Sequence, residues 1–454
     1  MNILLISANR STEPYPVFPL GLATVAEALR QAGHAVEIFD CLWDTDLEER
    51  VRAFAPRLVG ISLRNIDNEN SLGEEWYLDD LRQIVGRIRA ISDAPVVLGG
   101  AGFTIMPDAI LAHTGADFGI AGEGERLIVE LCATLARGER PATRIMRQTP
   151  PLQCAEIGAG LRDAAHVTRY ASRGGGFGIQ TKRGCPYQCV YCSYPFIEGR
   201  TFRARDPEAV ADEVAWLGAH CPGASVFFTD SLFNDTQGLW RHVVEALLRR
   251  DNRVPWSAYF RPAGLTADDI TLMKRAGLKS VELGTDAASD TALRGLAKSF
   301  TFAQAEDCNR LFAEQEIPAA HFLMFGGPDE TPDSVREGIE NVKRLTRAVV
   351  FPFMGIRILP DTPLHTRAIR DGIITATTDL LKPDYYISPA LAPTQLRADL
   401  EAAFADLTNV VFPPDKMRAF TEVLRNMGHA GSLWEFLAMA QRRRRLKVAT
   451  ASSR

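Results

Sequence analysis

What most limits the fold of this chain is a twice-repeated alternation of short apolar runs with helix-period segments. From residue 2 to about 136 the apolar runs are NILLIS (2–7), AVEIF (35–39), RLVGIS (57–62), PVVLGG (95–100) and FGIAG (118–122). Runs this short, separated by helical patterns, mark βαβ units around a buried parallel sheet. Between the first two, Leu22, Val25, Ala26 and Leu29 share one face of the segment 20–33, which stops at Gly33, so a crossover helix with its C-cap is expected there. The second series is FGIQTK (177–182), SVFFTD (225–230), VPWSAYF (254–260), SVELGTD (280–286), AHFLMFGG (320–327) and FMGIRILP (353–360). Six strands with intervening helices predict an incomplete α/β barrel. Its helix starts are marked by Asp206-Pro207, by the capping box Thr266-x-x-Asp269 and by Thr331-Pro332.

Residues 141–175 carry Pro141, Pro150, Pro151 and the run Gly174-Gly175-Gly176 with weak periodicity, the marks of a connecting segment. After about residue 365 the pattern turns mostly helical and ends in Arg442-Arg443-Arg444-Arg445. That run reads as a solvated tail, with phosphate contact as the alternative. The expected division is therefore a doubly wound, Rossmann-like domain (1–140), a linker (141–175), a (βα)6 partial TIM barrel (176–365) and a mostly helical C-terminal region (366–454). A chain of 454 residues is too long for a single ordinary core.

A net charge of -5 gives no global pull toward nucleic acid or anionic lipid, so no partner of either kind is expected. The opening apolar run lacks a preceding basic region and reads as a strand rather than a signal peptide. No apolar stretch is long enough to span a bilayer. Eight cysteines are spread along the chain and only three cluster, which fits a reducing cytoplasm better than a disulfide framework. Cys41, Cys132, Cys154, Cys221 and Cys308 stand alone and read as structural.

The cluster is Arg183-Gly184-Cys185-Pro-Tyr-Gln-Cys189-Val-Tyr191-Cys192, a C-x3-C-x2-C loop following a strand. A structural zinc site wants four N or S ligands, and the nearest histidines, His166 and His220, are remote in sequence. Three thiolates can instead each take one iron of a 4Fe-4S cubane and leave the fourth iron open to a small molecule. Here the sequence resembles the radical SAM superfamily, whose signature loop has this spacing, commonly with an aromatic residue where Tyr191 stands. The resemblance implies that S-adenosylmethionine (SAM) chelates the open iron and is cleaved reductively to a 5′-deoxyadenosyl radical. It places Asp230 and Ser231, after the second barrel strand, near the SAM amino group; a helix cap is the alternative for Asp230. It places Glu282 and Asp286 near the ribose, in a stretch where Asp and Ala stand for the family's usual Glu and Ser. The turn Gly326–Thr331 would approach adenine, or would simply be a turn and helix cap, and Arg357 on the sixth strand would pair with the SAM carboxylate.

The loop after the first strand, from Ala8-Asn9-Arg10 to Pro19-Leu20-Gly21-Leu22, resembles the opening of cobalamin-binding domains fused to radical SAM barrels. Gly99-Gly100-Ala101-Gly102 and Gly122-Glu123-Gly124 continue the match, with tight strand-to-helix turns as the plain alternative. None of the eight histidines has Asp two positions before it, so the usual lower-axial histidine motif is absent. The resemblance puts Ser62, Leu63, Arg64 and Asn65 on the cofactor side. Arg64 would face cobalt as a cation that does not coordinate; an ordinary surface salt bridge to Asp67 or a nearby acid is the alternative.

Together these likenesses, over roughly residues 1–365, imply a cobalamin-dependent radical SAM methyltransferase. It would move a methyl group from SAM via methylcobalamin to a carbon or phosphorus centre of a small-molecule or natural-product substrate, and take electrons from a donor such as flavodoxin or ferredoxin. A polar variant without the deoxyadenosyl radical belongs to the same family. The alternatives are a non-methylating cyclisation, ring rearrangement or oxidation, and a sensor without turnover. The C-terminal aromatics Tyr385, Tyr386, Phe404, Phe412, Trp434 and Phe436 read mostly as core, with a substrate pocket as the other use.

Overall fold

The computed structural model describes residues 1–13, 15–160, 163–172, 175–429 and 433–438. The run Arg442–Arg445 lies outside the described residues.

Five apolar runs of the first series become parallel strands: Asn2–Ser7, Ala35–Asp40, Leu58–Ser62, Val96–Gly99 and Phe118–Ala121. In sequence numbering their order across the sheet is 2-1-3-4-5-6, the sixth strand being Ile145–Arg147. Both faces are covered, which is why the runs are continuously apolar. Leu4, Ile6, Val59 and Ile61 pack toward Leu81, Ile84 and Ile88 of the helix Leu78–Arg89. Ile3, Leu5 and Leu58 pack toward Leu22, Ala26 and Leu29 of the helix Leu20–Gln31. The strand order reverses between the first and third strands, and in an open α/β sheet the ligand crevice lies outside the carboxyl ends at that point.

The second series forms six parallel strands in sequence order: Phe177–Ile179, Val226–Phe228, Trp256–Phe260, Leu278–Asp286, Ala319–Phe325 and Ala348–Met354. Alternation sorts their side chains. Phe228, Trp256, Ala258, Phe260, Val281 and Leu283 pack outward against helices, while Ala320, Val349 and Phe351 face inward, where Met417, Trp434 and Ala438 of the C-terminal region fill the barrel. The helix starts are as expected: Asp206 caps Pro207–His220, Thr266 and Asp269 form a capping box, and Thr331 caps Pro332–Arg344.

Two placements differ from the sequence reading. Residues 141–175 are not a bare linker, since Ile145–Arg147 joins the first sheet and Ala164–Ala171 is a helix capped by Asp163. The sixth barrel strand is AVVFPFM, not FMGIRILP; Pro352 interrupts the apolar run but occupies an outer strand of the open barrel, where its missing N–H costs nothing. Arg357 consequently sits beyond that strand, in a two-residue antiparallel pairing with Tyr385–Tyr386.

The C-terminal region has the helices Pro363–Arg370, Pro393–Phe404 and Met417–Asn426. Tyr386, Phe404, Phe412 and Trp434 are buried, as their core reading requires. This region, with Arg357 just before it, grips the first domain: Trp76 Nε1 donates to Leu381 O at 2.8 Å, Arg357 pairs with Asp67 at 2.8 Å, Arg418 with Glu75 at 2.6 Å and Arg425 with Glu13 at 3.0 Å. Among the described residues no helix is long and apolar enough to cross a membrane.

Candidate active site between the two sheets

A cavity of about 420 Å³, partly open to solvent, lies between the carboxyl ends of the first sheet and the interior of the barrel. Small-ligand pockets run from about 300 to 1,000 Å³, and this space falls within that range. The first sheet contributes Pro19, Leu20, Gly21, Ser62, Arg64, Gly99, Gly100, Ala101, Gly122, Glu123 and Gly124, all expected from the sequence. This wall is mostly backbone and small side chains. Gly100 has φ +97°, and a Cβ there would stand 2.5 Å from the Leu63 carbonyl oxygen, so only glycine fits. The barrel adds Phe227, Thr229 and Tyr259, and the hydroxyl of Thr229 is buried without a hydrogen-bond partner. A smooth concave wall opposite an orphaned polar atom fits a broad, flat cofactor such as a corrinoid.

Four expected residues stand apart from the lining. Arg10 pairs with Asp80 at 3.8 Å on the surface, because the loop turns outward before Pro19. Leu63 is buried and Gly102 donates from its backbone N–H to the Leu63 carbonyl at 3.0 Å, so these two shape the wall from behind. Asn65 backs onto Gly102 in the same way. Arg64 does line the cavity, and Asp67, one of the acids it could have paired with, is held by Arg357.

The cysteine loop is pinned from several sides. Gly184, at φ +90°, admits no Cβ because the Thr201 carbonyl lies against it. The Cys185 N–H donates to Gly199 O at 3.0 Å, the Val190 N–H to Leu296 O at 3.2 Å, and the Leu364 N–H to Val190 O at 2.8 Å. Arg183 reaches back to Glu123 at 3.1 Å and Glu125 at 2.5 Å, and Arg203 meets Glu123 at 2.8 Å. Glu123 therefore ties the cavity wall to the cysteine loop. Cys185, Cys189 and Cys192 are free and half-buried; burial pushes the Cys192 thiol up to about 12 and raises Cys185 too. Deprotonating such thiols calls for bound positive charge, which iron supplies. Among the described residues no three or more His, Cys, Asp or Glu side chains converge on a single-ion site; a cubane does not need this, because each thiolate takes a different iron.

Beside this loop the Tyr191 hydroxyl donates to Asp286 at 2.5 Å, Lys298 forms an ion pair with Asp286, and Lys298 Nζ donates to the Tyr191 hydroxyl at 3.2 Å. Asp286 thus lies next to the loop, in a left-handed conformation with φ +63°. Ser231 donates to the Gly184 carbonyl at 3.1 Å, one residue before Cys185.

Two residues expected to contact SAM have protein partners. Asp230 is fully buried and already satisfied: Lys182 Nζ lies 2.9 Å away, and the Thr181 N–H donates at 2.7 Å. Arg357 is spent on Asp67 and on the carbonyls of Ile358 and Leu380, each at 2.8 Å. Glu282 is buried inside the barrel, where the Trp434 indole N–H donates to it at 3.3 Å. In the turn Gly326–Thr331, Glu330 takes the N–H groups of Gly326 and Gly327 at 2.6 Å each and Thr331 caps a helix, so the turn-and-cap reading accounts for it.

Comparison with known proteins follows the same division. Residues 6–132 match the family model for the B12 binding domain, and residues 179–342 match that for the radical SAM superfamily. Tryptophan 2-C-methyltransferase from Streptomyces laurentii is 26% identical over 442 residues, covering 79% of this chain and 73% of that protein. The solved radical S-adenosylmethionine methyltransferase TsrM from Kitasatospora setae, with cobalamin and a [4Fe-4S] cluster bound, superposes with a TM-score of 0.83 at 26% identity, over 98% of this chain and 99% of that one. The chain is a cobalamin-dependent radical SAM methyltransferase. A second TsrM structure, with tryptophan and a SAM analogue bound, superposes with a TM-score of 0.82 at 25% identity, over 99% of both chains.

The methyltransferase also has site residues that sequence reasoning passed over. Tyr194 and Tyr259 line the cavity and expose 38% and 41% of their surface into it. For Tyr259 a signal exists: in WSAYF it alternates with buried Trp256, Ala258 and Phe260, so it must point to the opposite, interior face. Lys182 and Lys298 carry no such mark, since their partners Asp230 and Asp286 are remote in sequence or lie beyond a turn.

Proposed function

We propose that this methyltransferase alkylates a carbon atom of an aromatic small molecule, with indoles as the leading class. The supporting observation is the cavity itself: one wall is the glycine-rich crevice of the first sheet, and the other carries Tyr15, Phe227 and Tyr259 from the barrel side, with Phe227 and Tyr259 in edge contact at 4.8 Å. Aromatic side chains arranged this way favour a planar ligand. The relative from Streptomyces laurentii is a tryptophan methyltransferase, and a structural neighbour was solved with tryptophan, in keeping with that class.

In this reading residues 1–140 hold the corrinoid, residues 176–365 hold the cluster and SAM, and residues 366–454 close the barrel. Cys185, Cys189 and Cys192 bind the three protein-ligated irons. Ser231 and Asp286, beside the cysteine loop, stand on the SAM side. Arg64 presents a cation that donates hydrogen bonds but cannot act as a metal ligand. Corrinoid, cluster and SAM supply methyl-transfer and one-electron chemistry that no side chain offers. The chain's part is to fix the substrate carbon in line and keep water out. An external flavodoxin or ferredoxin delivers the electrons.

The test is anaerobic purification followed by assay of iron, sulfide and corrinoid, with products from SAM and a panel of indoles weighed by mass spectrometry. Cys185→Ala is expected to lose its iron and keep its corrinoid. A variant that keeps full iron content defeats the cluster reading, and a product that gains no methylene unit defeats the methylation of indoles.

A further inference from the structure

Inside the barrel, Tyr259 and Glu282 form a pair to which the reading above gives no part in holding the cluster or the corrinoid. They are cross-strand partners in register on the third and fourth barrel strands and point to the same interior face. Tyr259 reaches the cavity; Glu282 lies behind it, only 7% exposed. Two hydrogen bonds hold the carboxyl, one from the Tyr259 hydroxyl and one, at 3.3 Å, from the Trp434 indole N–H, while the like charge of Glu435, itself fixed by Ser280 at 2.7 Å and Lys279 at 2.8 Å, bears on it. The groups facing Tyr259 are Tyr15, Tyr194, Arg64 and Glu282. A carboxyl buried without a cationic partner, reached from the cavity only through one phenol, is costly to retain for packing alone.

We propose that Tyr259 and Glu282 form a relay that removes the proton the acceptor must lose when it is methylated, Tyr259 being the catalytic residue and Glu282 the positioning residue behind it that keeps the proton. The balance is complete without an oxidant or reductant. The acceptor's X–H bond breaks and its proton goes to the Tyr259 oxygen, while the phenolic proton passes to the Glu282 carboxylate. The electron pair left on the acceptor forms the new bond to the methyl carbon, and the methyl group's former bonding pair stays with its donor. Burial, opposed by the two hydrogen bonds and reinforced by Glu435, lifts Glu282 to about 7, which suits an acceptor working near neutral pH. The ionised form is the active one, so transfer rises as pH passes upward through about 7. The relay rests on the methyltransferase reading and selects, within it, transfer of the methyl group as a cation equivalent rather than as a radical.

The experiment uses cofactor-loaded protein with L-tryptophan as the probe. Three quantities are followed between pH 5.5 and 8.5: methylation of the bound corrinoid by SAM, from its absorbance without acceptor; L-tryptophan binding, by calorimetry; and methyl transfer to L-tryptophan in a single turnover. Wild type is expected to show a rise in transfer through about pH 7. Glu282→Gln and Tyr259→Phe are expected to slow transfer by roughly 100-fold or more, with the pH limb lost, while Glu282→Gln, behind the cavity wall, keeps corrinoid methylation and L-tryptophan affinity within about twofold. Glu282→Asp should restore part of the rate together with the limb. The relay is overturned if Glu282→Gln keeps both rate and pH profile, or if L-tryptophan neither binds nor is methylated. Failure of wild type to methylate its corrinoid from SAM would bring down the methyltransferase reading as well, so the two failures are told apart.

Discussion

The first-sheet wall of the cavity and the wall of ion pairs behind the cysteine loop solve one problem, holding a cofactor rigidly, by opposite means. The first-sheet wall is built of backbone: Gly99, Gly100, Gly122 and Gly124 line it, and its tolerance is measured in missing Cβ atoms. The wall beneath the cysteine loop is built of charge: Lys182 with Asp230, Arg183 with Glu123 and Glu125, Arg203 with Glu123, Lys298 with Asp286. A broad neutral ring is recognised by shape, whereas an iron-binding loop has to be held still by groups able to survive burial near metal charge. The first wall should therefore fail by steric substitution and be indifferent to charge, and the second the reverse.

The largest expected effect is on the charged wall. Lys182 is 1% exposed, and its ammonium lies 2.9 Å from Asp230, 2.8 Å from the Phe233 carbonyl and 3.4 Å from Asp235. Lys182→Met leaves two buried carboxylates without their cation and should destabilise the protein by about 3–5 kcal/mol. Denaturant titration reads that loss, and iron uptake should fall with it, because residue 182 runs directly into the cysteine loop. A loss below about 1 kcal/mol would end the contrast.

On the backbone wall, Gly100→Val places a side chain at φ +97° against a carbonyl oxygen 2.5 Å away. The strained conformation alone costs about 1–3 kcal/mol, and the wall has to move. Corrinoid affinity should drop at least tenfold while the iron content of reconstituted protein is unchanged, as equilibrium dialysis and iron assay will show. Equal losses of both cofactors would mean that the walls are not separable.

The smallest effect sharpens the boundary of the site. Arg10→Ala removes a surface ion pair at 3.8 Å and should change stability by about 0–1 kcal/mol, with corrinoid affinity unaltered. A tenfold loss of affinity would put Arg10 back in the site.

Legibility followed the same line. The glycine-rich wall could be read from the sequence because backbone constraints are local: Gly100 needs its own φ and one neighbouring loop. The charged wall could not, since Asp230 and Lys182 are 48 residues apart and Arg357 and Asp67 are 290 apart. Spacing along the chain carries no trace of such pairs. Asp230 and Arg357 are therefore expected near SAM from the sequence, whereas Asp230 is paired with Lys182 and Arg357 with Asp67. The strands were legible wherever apolar runs were unbroken; Pro352 hid the sixth barrel strand, and Ile145–Arg147 is too short to show alternation. Glu282 was expected near the SAM ribose, and nothing in its local sequence points to Trp434, which lies 152 residues on.

The clasp across the crevice belongs to neither sheet. Trp76, Asp67, Glu75 and Glu13 are all fastened by residues that follow both sheets in the chain. The two walls of the crevice are thus joined by segments that neither sheet needs for its own strands.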